Sequence, residues 1–257
     1  MIFRRLAQHL REQNWTAIFI EFVLLVLGVF LGIQAANWNA ARQEHALEAE
    51  YLARLQRDFS AIDARLTINL TRWEGTAAGT VRLIHDLDAF RQRGDWPRAK
   101  AEMLRDLDAA MGSRIPAPRA ASYVELLSAG RLGLLRDSRL REALADYDTQ
   151  AGFTLKAYDV LIQRVDPQRP TLVRHMQFDR GADAAQIDPQ EILRNGGEPW
   201  ADVDLAQLAA DPGLETALNT FASASYGQVL NVRLQQDKAR VVLDILDPQH
   251  RQLGEEP

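Results

Sequence analysis

Residues 16–36 read TAIFIEFVLLVLGVFLGIQAA, and this stretch decides how the first part of the 257-residue chain folds. A helix of about 21 residues is long enough to cross a hydrocarbon core of roughly 30 Å. Trp15 and Trp38 flank the stretch, where the aromatic belts of a membrane helix lie. The sequence therefore predicts a single transmembrane helix over 16–36.

Two other interpretations of this stretch are possible. A soluble protein can bury an equally apolar helix in its core, and a cleaved signal peptide also has a basic start followed by apolar residues. Cleavage after Ala35 or Ala36 would place Ile33 or Gln34 at the −3 position, where a small residue is favoured. The apolar stretch is also long for a signal peptide. We therefore favour an uncleaved signal-anchor and leave open whether the N-terminal segment is ever cleaved.

Basic residues on either side of the stretch predict its orientation. Arg4, Arg5 and Arg11 precede it, whereas Arg42 is the one basic residue in the fifteen that follow. Positive charge stays in the cytoplasm, so the N-terminus is expected inside and residues 37–257 outside. The 27 arginines against three lysines, with many alanines, are typical of GC-rich bacterial genomes. We thus expect a bacterial inner-membrane protein with a periplasmic domain.

Residues 1–15 are predicted to be a basic amphipathic segment on the cytoplasmic side. Ile2, Phe3, Leu6 and Leu10 share one side of a helix, with arginines on the other. Such a helix can lie on the inner leaflet of the membrane. A frayed basic tail explains the same residues equally well.

Small residues recur every four positions in the predicted span and indicate a helix–helix contact. Gly28, Gly32 and Ala36 have the spacing that lets two helix backbones approach closely, and Glu21 lies near the same face. The partner helix can belong to a second copy or to another membrane protein. Alternatively, Glu21 extends into the inner headgroups and the glycines reflect the general frequency of glycine in membrane helices.

Polar residues at the outer end of the span form a second candidate group. Asn37, Trp38 and Asn39 follow Gln34, and their amides are able to bond to a partner helix. The simpler interpretation is an interfacial anchor, with Trp38 among the headgroups and both asparagines hydrated. A third candidate group, which could line a groove, consists of Ser122, Tyr123, Glu125 and Ser128. Packing of the helix that contains them explains most of these residues.

Several chemistries are excluded or unsupported by the remaining sequence. The absence of cysteine rules out thiol catalysis, disulfides and Cys-ligated metal sites. After Asn39 the chain has 27 basic and 33 acidic residues, a balance unsuited to binding nucleic acid. Five scattered histidines offer no metal-binding pair, and no nucleophile elbow or phosphate loop occurs. We predict no catalytic residue, no cofactor and no metal ligand.

Three groups of acidic residues could be interpreted as metal-binding sites, but we do not favour that interpretation. Adjacent residues on a helix point apart, so the His85–Asp88 stretch (HDLD) is a poor ligand set. The pairs Asp106/Asp108 and Asp202/Asp204 are predicted to be solvated charges.

Helical periodicity dominates residues 37–257. An apolar stripe recurs at intervals of three and four: Leu47, Tyr51, Leu55, Phe59, Ile62, Leu66, Leu70 and Trp73. Gly75 and Gly79 are expected to form a turn, with a second helix over Thr80–Arg93. Further helices follow, separated by an irregular loop at about 166–204, and no strand-like alternation occurs. The prediction is an all-α fold in which a membrane helix continues into an elongated antiparallel bundle.

Two segments together resemble a known family. The first is EFVLLVLG at 21–28 with GIQAANWN at 32–39 and EYL at 50–52, and the second is SYVELLSAGRLGLL at 122–135 with LREALADY at 140–147. They are similar to an uncharacterised family of bacterial single-pass membrane proteins whose N-terminal span ends in Gln-x-x-Asn-Trp-Asn. Gly32 stands where many members have alanine. The resemblance implies a helical extracytoplasmic region and supplies no activity.

Three classes of function are compatible with these predictions. The favoured one is a membrane-anchored interaction or scaffold module of the bacterial envelope, with the lipid bilayer and a protein as partners. A sensor domain is the alternative, and it would signal through a partner because only about fifteen residues precede the span. An enzyme without a recognisable motif is the least favoured class.

Overall fold

The computed structural model describes residues 15–112, 116–181 and 200–247, and the fold is all-α as predicted. The chain divides into two compact units, Met1–Tyr51 and Leu52–Pro257. In chain order the helices are α1 Trp15–Arg93, α2 Lys100–Met111, α3 Ala121–Ser128, α4 Ser138–Val165, α5 Arg169–Val173, α6 Leu205–Ala210 and α7 Leu214–Leu246. Two 3-10 turns, Leu132–Leu134 and Asp166–Gln168, and two strands, β1 Met176–Phe178 and β2 Trp200–Val203, complete the described elements.

The described residues of the first unit all belong to the N-terminal part of α1. From Phe19 this helix is long and apolar enough to cross a membrane, and the most apolar 18-residue window has a mean hydropathy of 2.3. The large apolar side chains between Phe19 and Ile33 are 36–65% exposed. No residue of that window is buried in the protein, so its apolar surface is available to lipid. The predicted basic segment 1–15 lies almost entirely outside the described residues.

The predicted turn at Gly75 and Gly79 is wrong, because α1 continues without interruption to Arg93. Gly79 is buried where α2 packs against α1, and a Cβ atom there would lie 2.7 Å from Oδ1 of Asp106. The glycine therefore permits a close helix approach rather than a bend. The turn occurs instead at Gly94, whose φ of +83° is accessible to glycine at little cost.

Antiparallel helix pairs build the second unit. Against α1, the α7 helix runs in the opposite direction, since Arg233 pairs with Glu74 while Gln236 donates to Thr67 Oγ1 over 2.7 Å. The same holds for α4 and α7, since Lys238 pairs with Asp146 while the Thr154 hydroxyl donates to the Asn231 carbonyl, and Gln235 Nε2 donates to the Tyr147 hydroxyl over 3.1 Å between them. The stripe predicted on α1 supplies much of the core, with Leu55, Phe59 and Leu66 fully buried. Apolar burial of this kind is the main stabilising contribution to such a unit.

Several helix ends have a cause in the residues next to them. The Asp137 side chain accepts a hydrogen bond from the Arg139 amide (2.8 Å) and caps α4, as its position predicts. Gly130 follows α3 with a φ of +66°, a backbone conformation in which glycine commonly ends a helix. The helices α4 and α7 end at Val165 and Leu246, just before Asp-Pro pairs. These ends depend on neighbouring residues alone, which is why the sequence predicts them.

The described parts of the segment 166–204 contain regular structure where an irregular loop was predicted. It begins with a 3-10 turn and α5, and its strands β1 and β2 pair antiparallel, with Met176 opposite Val203. The expectation that the chain forms no strand is therefore wrong. Strands of three and four residues are too short to show an alternating pattern. Residues 182–199 lie outside the described part of the chain.

Candidate functional site

All five predicted helix-association residues lie exposed on the first part of α1: Glu21, Gly28, Gly32, Gln34 and Ala36. Glu21, Gly28, Gly32 and Ala36 share one broad face, because successive helical positions are about 100° apart. A Cβ atom at Gly28 or Gly32 would meet nothing within 4 Å. The face is thus open to a second helix.

The polar residues that follow do not form one group. Gln34 and Asn37 lie on the opposite side of α1 from Gly28, whereas Asn39 returns to the glycine side. Trp38 is 70% exposed on a flank between them. Only Asn39 of this interfacial group is placed to join a contact made through the glycine face.

The four polar residues of α3 are accounted for by contacts with α1, by burial or by bonding within α3 itself. Asp58 Oδ2 accepts a hydrogen bond from the Ser122 amide over 2.8 Å, which fixes the beginning of α3. The Glu125 carboxylate is paired with Arg54. Ser122 and Tyr123 are buried, and the Ser128 hydroxyl donates to the carbonyl of Glu125.

A partly buried ionic cluster joins α1, α2 and the turn between them. Arg98 donates to Oδ2 of Asp86 through Nε (2.8 Å) and Nη2 (2.5 Å), and its Nη2 also lies 2.9 Å from Oδ2 of Asp106. Arg82 binds Asp106 through both Nε and Nη2. Hydrogen bonding to Asp86 is the largest cause of the raised pKa of Arg98.

Asp106 is therefore not the solvated charge that the sequence predicts, because both of its guanidinium partners lie on other segments. Asp86 is buried in the same cluster, whereas His85 and Asp88 are exposed, so the HDLD stretch does not converge. Asp202 pairs with Lys100, which is the largest cause of its lowered pKa. Asp204 accepts hydrogen bonds from two amides of α6.

Two partly buried polar pairs lie elsewhere in the second unit. The Tyr147 hydroxyl lies 3.1 Å from the Pro118 carbonyl, its ring contacts Phe59 edge-on, and burial raises its pKa to about 12. His175 Nε2 lies 3.0 Å from Oδ2 of Asp211, and this hydrogen bond is the largest cause of the lowered pKa of Asp211. Each pair joins separate elements, which suits a structural role. Among the described residues, no group of three His, Asp or Glu side chains is arranged to hold a metal ion.

A groove lies between α4 and α7 in the second unit, and we call it the α4/α7 groove. Its volume is about 360 Å³. The α4 wall consists of Phe153, Lys156, Ala157, Val160, Leu161 and Arg164, and the α7 wall of Ser223, Ala224, Gly227, Gln228 and Asn231. Phe153 and Val160 are 59% and 51% exposed, so the groove opens to the surface along its length.

Sequence reasoning missed this groove, and among the large exposed apolar side chains of α4 and α7 only Phe153 and Val160 line it. Exposed apolar side chains on α4 and α7 fall outside the core stripe of each helix: Phe153, Leu155, Val160, Tyr226, Leu230 and Leu234. Tyr226, Leu230 and Leu234 recur every fourth residue and form a second apolar stripe on α7, which is separate from the groove lining. Apolar residues on two faces of one helix indicate either a wider core or a surface that binds something.

Comparisons of the chain with protein-family models, with curated proteins and with solved structures find no match. The resemblance to the single-pass membrane family stays a prediction.

Proposed function

We propose that the chain is a membrane-anchored interaction module of the bacterial envelope. In this proposal α1 spans the inner membrane with the N-terminus in the cytoplasm, and the second unit binds another protein in the periplasm. The arginines before the span support the orientation through the positive-inside rule. The resemblance to single-pass bacterial membrane proteins supports the location.

The α4/α7 groove is the observation that carries the interaction part of the proposal. A folded unit of this size ordinarily turns its apolar residues inward, and contiguous exposed apolar surface marks a place of binding. The exposed apolar part of α1 has a separate explanation in lipid. A groove on the folded unit has no such explanation, so a protein partner accounts for it best.

The proposed topology predicts an active alkaline phosphatase fused to the C-terminus. That enzyme requires the disulfide-forming periplasm, so activity reports the side on which the C-terminus lies. A green fluorescent protein fusion at the same residue is the matched control, because it fluoresces when folded in the cytoplasm. A stable, inactive phosphatase fusion paired with a fluorescent control would contradict the orientation.

Partner capture tests the proposed function itself. We expect crosslinking of tagged full-length protein in native membranes, followed by mass spectrometry, to recover a reproducible envelope protein. If the glycine face of α1 contributes, Gly28→Leu with Gly32→Leu weakens the capture, because larger side chains hold two helices apart. Val29→Leu with Ile33→Leu changes neighbouring positions without filling that face and serves as the control. Recovery of the chain alone, without any partner in repeated experiments, would contradict the interaction module.

A further inference from the structure

Charge distinguishes the α4/α7 groove from the rest of this acidic chain. The net charge of the whole chain is −5, yet the groove is lined by two cations and by no carboxylate. Neither Lys156 nor Arg164 forms an ion pair within the described residues. Many other basic side chains of the second unit are paired, including Arg91, Arg98 and Lys238.

The spacing of these cations matches the repeat of a helix. Lys156 and Arg164 lie eight residues apart on α4, which corresponds to about 12 Å along the helix axis. Apolar side chains of Ala157 and Val160 lie between them. A helix lying in the groove would meet an apolar strip bordered by positive charge at both ends.

The opposite wall of the groove permits close approach. Gly227 on α7 has no side chain, and a Cβ atom there would meet nothing within 4 Å. Ser223 and Asn231 lie one turn to either side of it and offer hydrogen-bonding groups. A glycine flanked by small or polar residues provides a shallow floor on which another helix can rest.

We infer that the α4/α7 groove binds an amphipathic acidic helix of a partner protein, with two carboxylates about two turns apart facing Lys156 and Arg164. This inference rests on the proposed function and names the chemistry of its partner. The mode is a helix in a groove, in which apolar anchors supply affinity and charges select the partner.

Two other occupants fit the groove less well. An acyl chain is normally enclosed over most of its surface, whereas the groove walls at Phe153 and Val160 remain half exposed. A second copy that presents the same face would bring Lys156 and Arg164 towards their own counterparts, and like charges repel. An amphipathic acidic helix can pack its apolar face on the groove and pair its carboxylates with Lys156 and Arg164.

A pair of synthetic helical peptides tests the inference directly. The acidic peptide has about four turns, leucines on one face and two glutamates eight residues apart, and its basic twin has lysines in their place. Binding is measured by fluorescence anisotropy to the full-length protein in nanodiscs of neutral lipid. We expect the acidic peptide to bind at least about tenfold more tightly than the twin. Equal affinities for the two peptides would overturn the inference.

Substitutions on the protein locate the binding. Lys156→Glu with Arg164→Glu should reverse the preference between the peptides. Arg57→Glu with Arg65→Glu makes the same charge change at the same spacing on exposed positions of α1 and should leave it unaltered. Gly227→Leu fills the groove with a bulky side chain. The affinity for the acidic peptide should therefore fall at least about tenfold. Gly152→Leu is the matched control, since that helical glycine also has open space but does not line the groove.

The outcomes separate this inference from the proposed function. If wild-type protein captures a membrane partner and the Gly227→Leu protein captures it equally well, the interaction module stands and the groove inference fails. If wild-type protein captures nothing, the proposed function fails. Self-association lost on Gly227→Leu, or binding of the groove to vesicles containing anionic lipid in place of the acidic peptide, would identify a different occupant and overturn the inference.

Discussion

Replacing Arg98 by methionine is expected to lower the free energy of unfolding of the second unit by about 3–5 kcal/mol. The Asp86 side chain is 6% exposed and bonded to Arg98 through two nitrogens, so the substitution leaves a buried carboxylate without its cation. Asp106 keeps Arg82, which limits the damage to one of the two acids. Urea denaturation of the full-length protein in nanodiscs, followed by circular dichroism, measures the change.

The contribution of burial is separated by two further variants. Arg91→Met removes an ion pair with Glu215 in which both side chains are about half exposed, so a loss below about 1 kcal/mol is expected. Asp86→Asn combined with Arg98→Met removes the buried charge together with its partner and should recover part of the loss. Equal effects of Arg98→Met and Arg91→Met would show that the cluster contributes no more than a surface pair.

Truncating Leu126 to alanine is expected to cost about 2–5 kcal/mol, because the substitution leaves a cavity in addition to losing apolar burial. Leu126 is 0% exposed on α3, whereas its neighbour Leu127 is 48% exposed. Leu127→Ala therefore provides a control within the same turn of helix, with an expected loss below about 1 kcal/mol. The same denaturation experiment compares both variants. A loss below about 0.5 kcal/mol for Leu126→Ala would place this side chain outside the core.

Features that depend on neighbouring residues were predictable from the sequence. The all-α class follows from the helical periodicity, and the stripe on α1 follows from its apolar spacing. The cap at Asp137 and the glycine at Gly130 depend on a few adjacent residues. The small-residue face of α1 is likewise a matter of spacing within one helix.

Features that depend on distant segments were not predictable in this way. Gly79 resembles a turn residue in sequence, and only the approach of α2 explains its place inside α1. Asp106 looks like a solvated acid until Arg82 and Arg98 are brought to it. The α4/α7 groove exists because the other described helices leave that pair of faces uncovered. A single sequence does not state which faces remain free after packing.

The close contact at Gly79 also prevents α2 from sliding along α1. Moving α2 by one turn in one direction would place Leu83 against the Asp106 carboxylate, where its side chain has no room. Moving it the other way would bring Gly75 opposite the carboxylate but carry Asp106 about 5.4 Å away from Arg82. Of these three alignments, only the observed one satisfies both the steric and the ionic requirement, so a missing side chain and a charge together favour this alignment of the helical hairpin.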